Sequence, residues 1–153
     1  MVPPMMMPRV PLILGLAGLL PFVWGALTVL SPDLAAWTVR SIGARFAGPY
    51  VMLFYGAVIL SFMSGVLWGF ATQLKGAQAG TGYALSVIPA LWAFFMTGGG
   101  PTGAGVSLMV GFIGILGLDW LFWKHGAAPE WWMSLRLLLT AIVVTCLAIG
   151  VFA

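Results

Sequence analysis

Charge is what this chain has least of: six Lys or Arg, three Asp or Glu and one His serve 153 residues, a charged fraction of 6%, where soluble domains carry roughly a quarter. An ordinary soluble globule is excluded, because so few hydrated groups cannot cover a domain of this length. Cysteine is equally scarce. The lone Cys146 lies inside an apolar run, which excludes an intrachain disulfide and CxxC redox chemistry and leaves a packed small side chain as its expected role. One His and one Cys cannot assemble a Ser-His-Asp or Cys-His set, nor a cluster of metal ligands. The bases are scattered singly, which excludes a nucleic-acid footprint. No enzyme activity, cofactor, metal or nucleic-acid partner is therefore expected.

What the chain has is apolar length. Hydrophobic residues make up 62% of it and mean hydropathy is +1.12, which excludes disorder; the 21 Gly show no three-residue period, which excludes collagen. A small polytopic membrane protein remains, with the lipid bilayer as its solvent. Met1 to Pro8 are rich in Met and Pro, then Arg9 precedes an apolar run longer than the ~7 to 15 residues of a signal-peptide core, so an uncleaved first span is expected. An Arg- and Ser-rich transit segment is absent, which favours a bacterial inner (plasma) membrane.

The charges divide the chain into runs that can be measured against the ~20 helical residues needed to cross a bilayer. They predict an all-α integral membrane protein with spans at about 11–30, 49–73, 80–97, 104–123 and 131–153, the third and fourth separated by a hinge at Gly98-Gly99-Gly100-Pro101-Thr102-Gly103. That hinge lacks a following Lys-Ser or Lys-Thr and is not a phosphate loop. A β-barrel is disfavoured because the runs are apolar on all sides and do not alternate. Five spans put Arg9, Lys75, Lys124 and Arg136 on one side and Arg40 and Arg45 on the other, so the positive-inside rule predicts a cytoplasmic N-terminus. Trp120, Trp123, Trp131 and Trp132 gather around the fourth loop, as rings seated at headgroup level do. Between spans one and two, Ser31-Pro32-Asp33 supplies an N-cap, a first-turn Pro and a first-turn acid. A short interfacial helix is expected there, with an irregular loop as the alternative.

Within the membrane, small residues mark contact faces because helix association there rests on close packing. Ala57, Ser61, Gly65 and Gly69 form one such face on span two; Gly103, Ser107 and Gly111, followed by Gly114 and Gly117, form another on span four. Packing of these two faces on each other is expected, with a dimer face or a ligand groove as the alternative. Pro21 and Pro89 fall near mid-span and predict kinks that neighbouring helices satisfy. Asp119 and Arg136 lie about 7 Å below the same interface on adjacent helices and are expected to pair, fixing the hairpin of spans four and five. A proton or anion site there lacks a second carboxylate or His for relay. His125, in the loop, is expected to be solvated, and Glu130 to cap the fifth helix. An odd number of spans and no internal repeat argue against an inverted-repeat transporter.

Three segments carry a family resemblance. They are Pro11 to Phe22 (PLILGLAGLLPF), Tyr55 to Gly69 (YGAVILSFMSGVLWG), and Asp119 through Pro129-Glu130-Trp131-Trp132 to Leu135-Arg136-Leu137-Leu138-Leu139-Thr140. In this order they resemble an uncharacterised domain-of-unknown-function membrane family similar to mitochondrial transmembrane protein 69. The resemblance implies a compact five-helix membrane protein and no reaction. Trp132 stands where Tyr is expected of that family, and Ser64 where Gly is usual. Size and eight Trp also resemble the tryptophan-rich sensory proteins, which bind porphyrins and sterols; their Trp- and Pro-rich first loop is not found in 31–48. Two functions follow as expectations: a structural, accessory or assembly subunit packing against a larger membrane complex, and, as the alternative, a porphyrin or lipid binder using a cavity near Pro21, Trp68 and Trp92.

Overall fold

The computed structural model describes residues 7–153; the segment 1–6 lies outside it. Every regular element among the described residues is helical, and five helical units are long and apolar enough to cross a membrane: Arg9–Leu30, Gly48–Ala71, Ala77–Met96, Pro101–Lys124 and Trp132–Phe152. The first unit is broken into α1 (Arg9–Ala17) and α2 (Leu20–Leu30). The break lies just ahead of Pro21, whose ring displaces the preceding turn and which has no N–H to give it. A neighbour fills the gap: the Tyr55 hydroxyl donates to the Gly18 carbonyl at 2.9 Å.

A short helix, α3 (Pro32–Ser41), follows, and its start matches its sequence signals. Ser31 Oγ accepts from the Leu34 amide at 3.3 Å, Pro32 is the first helical residue and Asp33 sits in the first turn. A 3-10 turn at Ala44–Phe46 leads into α4 (Gly48–Ala71). This connection is tied back to α2 by two polar side chains. Thr28 donates its hydroxyl to the Gly25 carbonyl and accepts the Gly48 amide, both at 2.8 Å, and Trp24 Nε1 donates to the Phe46 carbonyl at 3.0 Å.

Helix α4 packs against α2, α5 (Ala77–Met96), α6 (Pro101–Lys124) and α7 (Trp132–Phe152), and α6 pairs with α7. Phe22, Met52, Leu60, Leu67, Leu108, Phe112 and Ile115 are all but sealed from solvent at the centre. Lipid is as apolar as these side chains, so their contribution is interlocking contact. The Phe22 ring meets Tyr55 and Phe112 edge-on at 5.3 and 6.0 Å. Gly25 is required where α2 crosses α4: a Cβ there would run into Met52 and stand 2.9 Å from Val51 Cγ1.

Pro89 is buried inside α5 and interrupts its hydrogen-bond ladder. Ser64 of α4 reaches into the interruption, donating its hydroxyl to the Ser86 carbonyl while accepting the Ala90 amide at 3.1 Å. A side chain of one helix thus completes the backbone of the next, which is how lipid-embedded helices accommodate proline.

The small-residue faces are arranged differently from the sequence reading. Gly65 and Gly69 open onto free space, as do Gly103, Gly114 and Gly117, with no atom within 4 Å of a Cβ built on any of them. Ser61 is exposed and bonds back to the Ala57 carbonyl of its own helix at 2.8 Å. The α4–α6 contact instead sets glycine against leucine: Leu108 lies 3.0 Å from a Cβ on Gly56, and Leu60 lies 2.7 Å from one on Gly111. Ser107 engages α5, its carbonyl accepting Trp92 Nε1 at 2.6 Å. The bundle buries large side chains of α4, and the row Ala57, Ser61, Gly65, Gly69 lies largely outside it.

Candidate functional site

The polar centre of the bundle is built at the α6–α7 hairpin. After α6 ends, the chain turns at Gly126, whose φ of 76° suits glycine, and the Ala127 amide closes on the Phe122 carbonyl at 3.0 Å. Trp123 Nε1 donates to the Glu130 carbonyl at 3.1 Å and holds the loop down. This brings the last turns of α6 alongside the first turns of α7, with Asp119 and Arg136 facing each other. Arg136 Nε lies 2.8 Å from Asp119 Oδ2, and the two side chains are 5% and 0% exposed. Trp132 Nε1 donates to the other oxygen, Asp119 Oδ1, at 3.0 Å. Each carboxylate oxygen therefore has its own donor.

Trp132 is the member the sequence reading missed. Its place in the sequence groups it with the headgroup-level rings, but its indole turns inward onto Asp119 and meets Phe70 of α4 edge-on at 5.0 Å. The signal was its position one turn ahead of Arg136, on the same helical face. Trp120 keeps the outward role, with Lys124 Nζ 5.0 Å from its ring centre. Arg136 Nη2 and Thr140 Oγ1, one turn apart and both buried, have no hydrogen-bond partner among the described residues.

The remaining sequence candidates are placed as follows. His125 is exposed and its Nδ1 lies 2.9 Å from the Leu121 carbonyl. Glu130 does not cap α7: Trp131 occupies the N-cap position without a side-chain bond, and Glu130 contributes its carbonyl to Trp123. Pro21, Trp68 and Trp92 do not converge on one cavity. Pro21 belongs to the α1–α2 break, Trp68 meets Tyr83 at a tilt, ring centres 4.7 Å apart, on the outside, and Trp92 lines a separate cavity of about 280 Å³ with Pro89. No group of three His, Cys, Asp or Glu is arranged to hold a metal ion among the described residues.

As an arrangement, Asp119, Trp132 and Arg136 form a neutralised polar lock. The carboxylate is held by a cation and an indole at a depth where either charge alone is costly. No second titratable group stands in the set to pass a proton on.

Comparison with known proteins places the chain. Transmembrane protein 69 of Xenopus tropicalis is 32% identical over 146 residues, covering 90% of this chain and 51% of the relative. The chain thus spans about half the length of the curated relative it matches. No solved structure matches it. Residues 7–152 match the family described as "Protein of unknown function (DUF3429)". Ending as it does at the last turn of α7, that match takes in every helix described above, and the chain is a polytopic membrane protein of the DUF3429 family.

Proposed function

We infer that this protein is a non-catalytic accessory or assembly subunit that packs against a larger membrane complex. The observation that supports this is the outward row on α4. Gly65 and Gly69, with exposed Ser61, face away from the bundle with open space above them. In lipid, where close backbone approach drives helix association, such a row receives a helix of another protein. The internal polar lock acts as a structural fastener for the platform. In this reading α3 lies along the membrane surface, with Trp37 and Ile42 about half exposed and turned to lipid and Arg40 turned to water. In the proposed bacterial inner membrane the N-terminus is cytoplasmic, following the distribution of Lys and Arg.

Mild-detergent extraction followed by co-purification tests the reading. The wild-type chain is expected to bring down a stoichiometric membrane partner. Gly65→Leu, which fills the open row without touching the core, is expected to lose it at unchanged thermal stability. A solitary monomer in every mild detergent would overturn the proposal.

A further inference from the structure

Helices α5 and α6 are joined at the hinge end by residues 97–100 and by the Trp92–Ser107 bond, and near the other end Gly82 faces Phe122. Two cavities lie in the seam. One, of about 340 Å³, is lined by Leu74, Gln78, Thr81, Leu85, Leu121 and His125, among others. The second, of about 280 Å³, is lined by Ile88, Pro89, Trp92, Gly111, Gly114 and Leu118, among others. Leu85 and Ile88 are one turn apart on α5, and Leu118 and Leu121 are one turn apart on α6, so the cavities stand end to end along one groove. From Gln78 to Trp92 the groove runs about 21 Å along α5. That exceeds the ~15 Å depth of one leaflet's hydrocarbon.

The chemistry of the groove changes along its length. Its deep half is walled by apolar side chains and by Gly114, which leaves open space where a side chain would be. Its mouth carries Gln78, Thr81 and His125, and the lining residues Leu74 and His125 are chain neighbours of Lys75 and Lys124. At that end of the bundle the exposed charges are the bases Arg9, Lys75 and Lys124 against the single acid Glu130, among the described residues. An apolar slot at least one leaflet deep, with bases beside its mouth, complements an anionic phospholipid in shape and charge.

We propose that the α5–α6 seam is a binding site for one anionic phospholipid, one acyl chain lying along Leu85, Ile88 and Gly114 and the phosphate headgroup held at the mouth by the polar lining, by Lys75 and by Lys124 swung over from the Trp120 ring on which its ammonium rests. The site does not depend on the partner-binding reading, because Gly65 and Gly69 lie outside the groove. The full chain, reconstituted in bilayers of phosphatidylcholine containing a minor fraction of phosphatidylglycerol that bears a photoactivatable group on its acyl chain, tests it. After illumination, adducts mapped by mass spectrometry are expected to concentrate on 81–92 and 111–121, and to exceed those from equally labelled phosphatidylcholine. Replacing both Lys75→Gln and Lys124→Gln is expected to lower the anionic preference about fivefold for each Lys removed. Gly114→Leu is expected to remove the deep adducts, while Gly65→Leu leaves them in place. Adducts spread evenly over all lipid-facing helices, or equal labelling by the two headgroups, would overturn the proposal. Wild-type labelling alone decides the outcome if a variant fails to fold.

Discussion

Replacing Arg136 with Leu strands a carboxylate that is wholly buried: Asp119 is 0% exposed and keeps only the Trp132 indole as a donor. Breaking one half of a buried ion pair costs about 3–5 kcal/mol, and insertion scales put a lone charge at the centre of a span at about 2.5–3.5 kcal/mol. The two ranges meet near 3 kcal/mol. If Asp119→Leu is added, no charge remains in the membrane. What is then left unsatisfied is the half-buried Trp132 N–H, at about 1–3 kcal/mol. The double variant should therefore be more stable than the single by roughly 1 kcal/mol, although it departs further from the natural sequence. Thermal aggregation midpoints of wild type and both variants in one detergent give the order, with far-UV circular dichroism confirming that each begins folded. A double variant that melts with or below the single would show that Asp119 does not depend on Arg136, and the lock described above would be wrong.

Trp132→Phe keeps the ring against Phe70 but removes the donor to Asp119 Oδ1, and is expected to cost about 1.5–3 kcal/mol by equilibrium unfolding in mixed micelles; no measurable loss would show the indole bond to be incidental. Thr28→Val leaves the Gly48 amide without its acceptor, so amide exchange at Gly48 should accelerate and the α2–α4 connection should become sensitive to limited proteolysis, whereas wild-type exchange there would refute the strap. Ser64→Ala should lower the melting midpoint by the equivalent of about 1–2 kcal/mol, because Ser86 O and Ala90 N–H both lose their bond to the Ser64 hydroxyl. A midpoint unchanged from wild type would mean that the proline break is satisfied in another way. Tyr55→Phe should cost less, about 0.6 kcal/mol, for its single interhelical bond to Gly18, and a loss as large as that of Ser64→Ala would contradict this ranking.

The spans were legible because seven of the nine acids and bases lie at or between their ends and the Gly98–Gly103 hinge divides the charge-free stretch from Gly76 to Leu118. Asp119 and Arg136 were legible for the same reason: a charge inside an apolar run has to find its opposite. The direction of the α4 glycine row was not. A four-residue repeat of small side chains reads identically whether the helix it receives belongs to the same chain or to another protein, and only the positions of Leu60 and Leu108 against Gly111 and Gly56 show that α4 and α6 meet elsewhere. Ser64, Tyr55 and Thr28 were illegible as bond partners for a different reason. Each satisfies a backbone group more than fifteen residues away, so its role exists only once the helices are side by side. Trp132 was assigned to the interface because most tryptophans at span ends belong there, and its inward turn depends on Asp119 lying within reach.

The insertion of Ser64 into α5 bears on how the chain is made. Synthesis delivers α4 first, with a serine that by itself is cheap to place in lipid, and then α5, in which that serine bridges Ser86 O and Ala90 N–H on either side of Pro89. Between Ala71 and Ala77 the connection is five residues long, too short to let the helices wander apart. The third span therefore enters the membrane most cheaply against its predecessor, as a pair released together from the insertion machinery. A chain truncated just after α5 and reconstituted in a bilayer should already hold the two helices in register, without α6 and α7.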